Sequence, residues 1–223
     1  MSSEDLRAVL KDISDRAVAF RDSRAEAPHR PLCTYAEAQA AFEAAVPERG
    51  VPIDALIEEL ARLSEPGLAN MVGPRFFGWV IGATAPAGMA ADWLTSAWGQ
   101  NVGNAHATPA ASACEEQTGK WLLDLLDLPR ESSVGFVSGA TIANFTCLAA
   151  ARGEVLRRAG WDVEADGLFG APPVYVVLGE EALSTVFSGL RYLGFGAKRV
   201  VSVPVTSQGL VKPGAFAKAI EKL

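Results

Sequence analysis

The sequence predicts an α/β protein in which a mainly parallel sheet is flanked by helices and preceded by a helical N-terminal arm. Three short apolar runs alternate with helical patterns in the second part of the chain, and such runs are typical of strands buried on both faces. These runs cover residues 134–137, 174–178 and 200–205. Ligands of parallel sheets bind beyond the carboxyl ends of the strands, so we expect a binding site there.

The first 70 residues predict the helical arm. Apolar side chains recur at near-helical spacing within residues 4–20, and further helical patterns cover residues 35–45 and 53–63. An amphipathic helix does not identify its partner, so these apolar faces can pack on the chain's own core or on a second subunit. We therefore predict two parts, a helical segment with a dimer contact at 1–70 and a larger domain at 71–223.

Composition and charge exclude several classes of protein. The chain has 223 residues, of which 49% are hydrophobic, so a sizeable core is possible. The formal net charge of −6 and the absence of a basic run argue against a nucleic-acid surface. Three scattered cysteines and two histidines show no metal-ligand spacing, and we expect no metal site. No apolar stretch approaches the length of a membrane span, so we expect no membrane partner. No secretory signal is evident, so a cytoplasmic location is expected.

The turn after the first apolar run predicts an anion site. It opens directly onto a helical pattern over residues 141–159, and the free N–H groups of a helix N-terminus attract anions. Gly139 and Ala140 lack bulk, so a phosphate can approach the main chain, and Thr141 can cap the helix. An ordinary turn between a strand and a helix has the same pattern, and neither the three-glycine dinucleotide fingerprint nor the P-loop lysine is present.

Several separated motifs, in one order, resemble the group II pyridoxal-phosphate-dependent amino-acid decarboxylases, which include the aromatic-amino-acid and glutamate decarboxylases. The resemblance covers about residues 45–223. The main motifs are Pro74-Arg75-Phe76-Phe77-Gly78-Trp79-Val80, Thr108-Pro109-Ala110, Leu126-Asp127-Leu128-Pro129, Gly135-Phe136-Val137-Ser138-Gly139-Ala140-Thr141-Ile142-Ala143-Asn144 and Glu181-Ala182-Leu183-Ser184-Thr185. It implies a lyase that uses pyridoxal 5'-phosphate, and it implies that residues 71–223 are an incomplete large domain of fold type I.

The resemblance also implies roles for single residues. Gly139, Ala140 and Thr141 would bind the cofactor phosphate, and the enzyme would be a homodimer. The family's lysine that forms the Schiff base would lie beyond residue 223, because none of the six lysines matches its position. We therefore expect an N-terminal part, either a fragment or one half of a split enzyme, that is inactive without its C-terminal remainder.

One residue departs from the family pattern. The family places a histidine over the cofactor ring, and Leu183 occupies that position here. Leucine can cover the ring by apolar contact but cannot donate a proton. Decarboxylation of an amino acid stays the main prediction. An aldehyde synthase, a carbon–carbon lyase or a non-catalytic relative is the alternative, and Leu183 can also be an ordinary core residue.

The resemblance places substrate contacts in two further segments. Trp79, Val80, Gly82 and Thr84 would lie nearest the substrate side chain, and an aromatic, apolar pocket suits an aromatic or bulky amino acid. Core packing is the alternative for these aromatic residues. His106 lies in a segment that resembles an active-site loop contributed across the dimer, where it can touch substrate, supply an acid function or have no role.

Overall fold

The computed structural model describes residues 3–223, and within them it contains nine α-helices and one small sheet. The chain divides into two compact units between Gln100 and Asn101. The helices are α1 Ser3–Asp22, α2 Tyr35–Phe42, α3 Ile53–Ser64, α4 Pro86–Trp98, α5 Pro109–Leu125, α6 Ala140–Arg158, α7 Val163–Asp166, α8 Ser184–Tyr192 and α9 Ala215–Ile220. The strands are β1 Val176–Gly179 and β2 Val200–Val203.

The first unit contains α1 to α4, and local sequence signals explain where these helices begin and end. A capping box opens α2, where the Glu37 N–H donates to Thr34 Oγ1 and the Thr34 N–H donates to Glu37 Oε2. Pro86 lies in the first turn of α4, and Gly99 closes that helix with a φ of 58°. The helices predicted for the N-terminal arm are thus present. The dimer contact predicted for residues 1–70 stays a prediction.

Asn70 joins two loops of the first unit and is only 2% exposed. Its Nδ2 donates to the carbonyl oxygens of Arg24 at 2.9 Å and Ala27 at 3.1 Å, and its backbone N–H donates to the His29 carbonyl. We call this cluster of Asn70, Arg24, Ala27 and His29 the Asn70 latch. A Cβ at Gly73 would lie 2.6 Å from Asn70 Nδ2, so the latch requires a glycine at that position.

The second unit contains a parallel pair of strands. β1 and β2 pair in register from Val176 with Val200 to Gly179 with Val203. These are the second and third predicted strands, and their parallel pairing confirms the predicted sheet type. The prediction of a strand at residues 134–137 is wrong for the described residues, because that stretch has no hydrogen-bonded neighbour and forms neither helix nor strand.

The hydrophobic core of the second unit lies between the sheet and helices α6 and α8. Leu190, Leu193 and Phe195 are buried together, and Phe145 of α6 and Val176 of β1 are among the residues packed against them. Every buried hydrophobic residue of the described chain belongs to this unit, namely Leu123, Leu156, Leu190, Leu193, Phe195, Val203 and Val205. Packing against this core positions α6 and α8 beside the sheet. Among residues 3–223, no helix has the length and apolarity that a membrane crossing requires.

Candidate functional site

Helix α6 begins at the small-residue turn that the sequence singles out. Gly139 is the N-cap, with a φ of 165°, and Ala140 and Thr141 are the first two helical residues. The interpretation of Thr141 as a capping residue is wrong, because the helix starts one residue earlier than predicted. No side chain caps α6, so the end of this helix is formed by backbone groups alone.

The first N–H groups of α6 are free to bind an anion. The first backbone hydrogen bond of the helix runs from the Ala143 N–H to the Gly139 carbonyl at 3.0 Å, so Ala140, Thr141 and Ile142 keep unpaired N–H groups among the described residues. A Cβ at Gly139 would meet no atom within 4 Å, which leaves open space in front of them. These features fit a phosphate group, which helix N-termini bind through backbone N–H groups and the helix dipole.

Helix α8 begins just beyond the carboxyl end of β1. Leu183 is its N-cap residue and is 62% exposed, so it does not belong to the core of this unit. No side chain caps α8 either. The hydroxyl of Thr185 is buried and has no hydrogen-bond partner among residues 3–223. Thr185 belongs to the same sequence motif as Leu183, but the sequence alone assigned it no role.

Helices α6 and α8 pack side by side and run in the same direction. Gly189 of α8 faces Phe145 and Leu148 of α6, and further along Arg152 Nη1 donates to the Leu193 carbonyl at 2.6 Å. These pairs are offset by 41 to 44 residues, so Leu183 is level with residues 139–142. We call residues 139–142 and 183–185 the rim, and it lies at the carboxyl end of β1.

Glu180, in the turn that follows β1, is hydrogen-bonded to the end of β2 and to the backbone after it. Its Oε1 accepts a hydrogen bond from the Val205 N–H at 2.9 Å, and its own N–H donates to the Val203 carbonyl at 2.9 Å. Glu180 thus holds the two strand ends together beside the rim. Among residues 3–223, no group of three or more His, Cys, Asp or Glu residues is arranged to hold a metal ion.

The predicted substrate contacts of the first unit lie in an irregular segment before α4. Trp79 and Val80 have positive φ values of 56° and 55°, and Val80 is fully exposed. The Trp79 ring meets the Phe76 ring edge-on at 5.9 Å between centroids. A Cβ at Gly82 would meet nothing within 4 Å, and the Thr84 carbonyl accepts a hydrogen bond from Arg21 Nη2. Their role as substrate contacts stays a prediction.

His106 lies in an exposed turn just before α5 and makes no hydrogen bond among the described residues. The turn itself is well fixed. Asn104 Oδ1 accepts from the Ala107 N–H at 2.8 Å, and the Asn104 carbonyl accepts from both the N–H and the hydroxyl of buried Thr108. His106 is therefore exposed on a hydrogen-bonded turn, and its role as a substrate contact stays a prediction.

Comparisons with known proteins agree with these features. The chain matches the family described as "Pyridoxal-dependent decarboxylase conserved domain" over residues 36–223. It is 27% identical to tryptophan decarboxylase 1 of Oryza sativa subsp. japonica over 93% of this chain and 42% of the relative. It is also 30% identical to a phenylacetaldehyde synthase of a Rosa hybrid cultivar, over 49% of this chain and 23% of the relative.

A crystal structure of Oryza sativa TDC with PLP and tryptamine superposes on the whole chain. Its TM-score is 0.86 at 25% sequence identity, and the match covers 48% of that chain. The chain thus spans less than half the length of the relatives that it matches.

The chain belongs to the pyridoxal-dependent decarboxylase family, because the family match covers most of its length. Its fold is that of the fold type I decarboxylases, as the sequence predicted. The predicted cofactor, pyridoxal phosphate, is confirmed at the level of the family.

Proposed function

We propose that the protein catalyses the decarboxylation of an amino acid with pyridoxal phosphate, and that residues 1–223 contribute the phosphate-binding part of the active site. The observation that carries the proposal is the rim, which comprises the unpaired N–H groups at the start of α6 and the start of α8 just beyond the carboxyl end of β1. Family membership favours this reading of the rim over an ordinary turn.

Each rim residue has a distinct role in this proposal. The N–H groups of Ala140 and Thr141 donate to the phosphate, and Gly139 lets it approach the main chain. The side chain of Leu183 covers one face of the cofactor ring, where it excludes water and supplies no proton. When bound, pyridoxal phosphate supplies the ring that accepts the electron pair left by the departing carboxylate.

The proposal requires polypeptide beyond this chain. The lysine that attaches the cofactor would come from a second half, supported by the observation that the relatives are more than twice as long as the matched region. We further propose a homodimer in the cytoplasm, with apolar faces of the N-terminal helices in the subunit contact. Leu10 of α1, Leu56 and Leu60 of α3 are about half exposed and available for such a contact.

The proposed substrate is an aromatic or other bulky amino acid. Trp79, Val80, Gly82 and Thr84 are its proposed contacts, with His106 as a further candidate. The support is the exposed aromatic ring of Trp79 and the similarity of the chain to a tryptophan decarboxylase. The substrate class follows from this resemblance and from the apolar side chains of the segment.

The test is an assay of the enzyme expressed with its second half. We expect absorbance typical of bound pyridoxal phosphate, and release of carbon dioxide and the matching amine from an aromatic amino acid. Products are identified by mass spectrometry, with glutamate as a comparison substrate. If the enzyme binds the cofactor but releases carbon dioxide from none of the amino acids, the proposed activity is wrong.

Leu183→His in the same enzyme tests the position of Leu183. A histidine over the ring can donate a proton, and positioned acid–base groups contribute on the order of a hundredfold or more. The ratio of amine to aldehyde should therefore rise. An unchanged ratio would show that Leu183 does not lie over the ring. Aldehyde as the main product of the wild-type enzyme would favour an aldehyde synthase.

A further inference from the structure

The segment that carries the proposed substrate contacts has a strained turn at its tip. The turn covers residues 78–81, and the Ile81 N–H closes it by donating to the Gly78 carbonyl at 3.4 Å. Both central residues, Trp79 and Val80, have positive φ values, a conformation that favours glycine and is costly for a β-branched side chain. Strained backbone of this kind persists only where the surrounding structure holds it.

Packing within the turn is too sparse to hold this conformation. A Cβ at Gly78 would lie 3.1 Å from Phe76 Cζ, so the Phe76 ring lies close to the turn backbone, where the Trp79 ring meets it edge-on. Beyond that contact, Phe77 is 91% exposed, Trp79 is 72% exposed and Val80 is fully exposed. The turn therefore depends on how its two ends are attached to the rest of the first unit.

Two arginines attach those ends to a single stretch of chain at the end of α1. On the N-terminal side of the turn, Arg75 Nη2 donates to the Ala25 carbonyl at 2.8 Å. On the C-terminal side, Arg21 Nη2 donates to the Thr84 carbonyl at 3.0 Å. Both hydrogen bonds have a charged donor, and such bonds are stronger than those between neutral groups. Residues 75–84 thus form a loop whose base is residues 21–25.

The base of this loop is itself fixed. The Asn70 latch binds the Arg24 and Ala27 carbonyls, and Ser23–Ala25 form a short 3₁₀-helix that continues from α1. The two arginines therefore connect the loop to a base that other hydrogen bonds already hold. Loss of either arginine would free one end of the loop, and the strained tip could then relax.

We propose that Arg21 and Arg75 are positioning residues, which hold Trp79 and Val80 in the orientation that selects the substrate side chain. This inference rests on the proposed function, in which Trp79 and Val80 contact that side chain. Both arginines act through the loop, so their effect falls on recognition of the substrate side chain and leaves cofactor binding unchanged. Misplacement of a positioning element by about 1 Å can cost on the order of a hundredfold in rate.

Steady-state kinetics of the full-length enzyme with its second half test the proposal. In Arg21→Ala and in Arg75→Ala, we expect KM for the best aromatic substrate to rise about tenfold while kcat changes by less than about twofold. The preference for that substrate over the best aliphatic one should fall by about the same factor, and the dissociation constant of pyridoxal phosphate should stay constant. Arg75→Lys keeps a charged donor and should restore part of the preference. Arg62→Ala is the matched control, because it removes an exposed arginine that pairs with Glu59 on α3.

The outcomes separate this proposal from the proposed function. Unchanged preference in both arginine variants, or an equal loss in Arg62→Ala, would overturn the positioning role. Weaker binding of pyridoxal phosphate in the arginine variants would also overturn it, because the arginines would then support the fold in general.

A wild type that decarboxylates no amino acid would overturn the proposed function, and amide hydrogen exchange then decides the positioning role. The Phe76 and Ile81 N–H groups are hydrogen-bonded within the segment. They should exchange about tenfold faster in both arginine variants than in Arg62→Ala, because the loop has lost one attachment. Equal exchange rates in the three variants would overturn the proposal.

Discussion

The two units of the chain are stabilised in different ways. In the second unit, buried leucine, phenylalanine and valine side chains form an apolar core against the parallel strands. Among residues 3–100 of the first unit, the one buried residue is polar, Asn70, and the leucines of α1 and α3 stay about half exposed. The first unit is thus held by local caps and by the Asn70 latch, and much less by a core of its own.

This difference indicates how each unit relates to the rest of the protein. Hydrophobic burial is the dominant favourable term in folding, so a helical unit without buried apolar residues depends on surfaces elsewhere. The second unit has a core of its own, in which the two paired strands of its described residues pack against α6 and α8. The first unit thus leaves apolar surface uncovered on its helices, whereas the second buries much of its apolar surface in a core.

The largest expected effect is in the core of the second unit. Leu190→Ala removes a side chain that is 1% exposed between α6 and the sheet, and should destabilise this unit by about 2–5 kcal/mol. Leu10→Ala, at a half-exposed position of α1, should cost clearly less. Native-state hydrogen exchange, read separately for each unit, measures both. Similar losses at the two positions would contradict the contrast between the units.

The Asn70 latch should be the most sensitive position of the first unit. Asn70→Asp replaces the amide donor by a carboxylate oxygen that faces the Arg24 and Ala27 carbonyls, which should cost about 1–3 kcal/mol. Asn101→Asp is the control, because Asn101 uses only its Oδ1, which accepts from the Gly103 N–H. Hydrogen exchange in the loops around residues 24–29 should rise in the first variant and stay constant in the second.

A smaller effect, of opposite sign, is expected at Val80. Its positive φ of 55° is costly for a β-branched residue, and glycine adopts that conformation readily. Val80→Gly should stabilise the first unit by up to about 1 kcal/mol, while Val46→Gly, at an exposed position outside the positive-φ region, should destabilise it. Chemical denaturation compares the two variants. Destabilisation by both would show that no strain is relieved at Val80.

The smallest effect concerns the pH dependence of α6. Hydrogen bonds from Arg157 and Arg158 lower the pKa of Glu154 to about 2. Because the pKa of Glu154 is lower in the folded state, its hydrogen bonds stabilise the folded protein above the usual carboxyl pKa. This stabilisation is lost as the pH falls from about 5 to about 2. The group is exposed, so the loss should be slight. Circular dichroism during urea unfolding should show a weaker pH dependence in Glu154→Gln than in the wild type.

The sequence predicted the helices and the two paired strands well, because their periodicity and caps are local signals. Residues 134–137 have the composition of a strand, but no residue among 3–223 pairs with them, and composition alone does not show whether a neighbouring strand is present. The start of α6 was misplaced by one residue because Thr141 resembles an N-cap more than Gly139 does.

Other features required three-dimensional packing. The Asn70 latch joins residues more than 40 positions apart, so no local sequence pattern predicts it. The proximity of Leu183 to the phosphate turn depends on the parallel packing of α6 and α8. The sequence motifs identified both parts of the rim, residues 139–142 and 183–185, but not the helix packing that relates them.

The most direct test of the rim compares two ligands in the full-length enzyme. Ala140→Pro removes one N–H from the start of α6 with little cost to the helix, since proline is accepted in the first turn, as in α4 and α5. A hydrogen bond to a charged group contributes about 1.5–3 kcal/mol, so the dissociation constant of pyridoxal phosphate should rise roughly tenfold or more. Pyridoxal, which lacks the phosphate, should bind the variant and the wild type equally. An unchanged affinity for pyridoxal phosphate, or an equal loss for both ligands, would contradict phosphate binding at the rim.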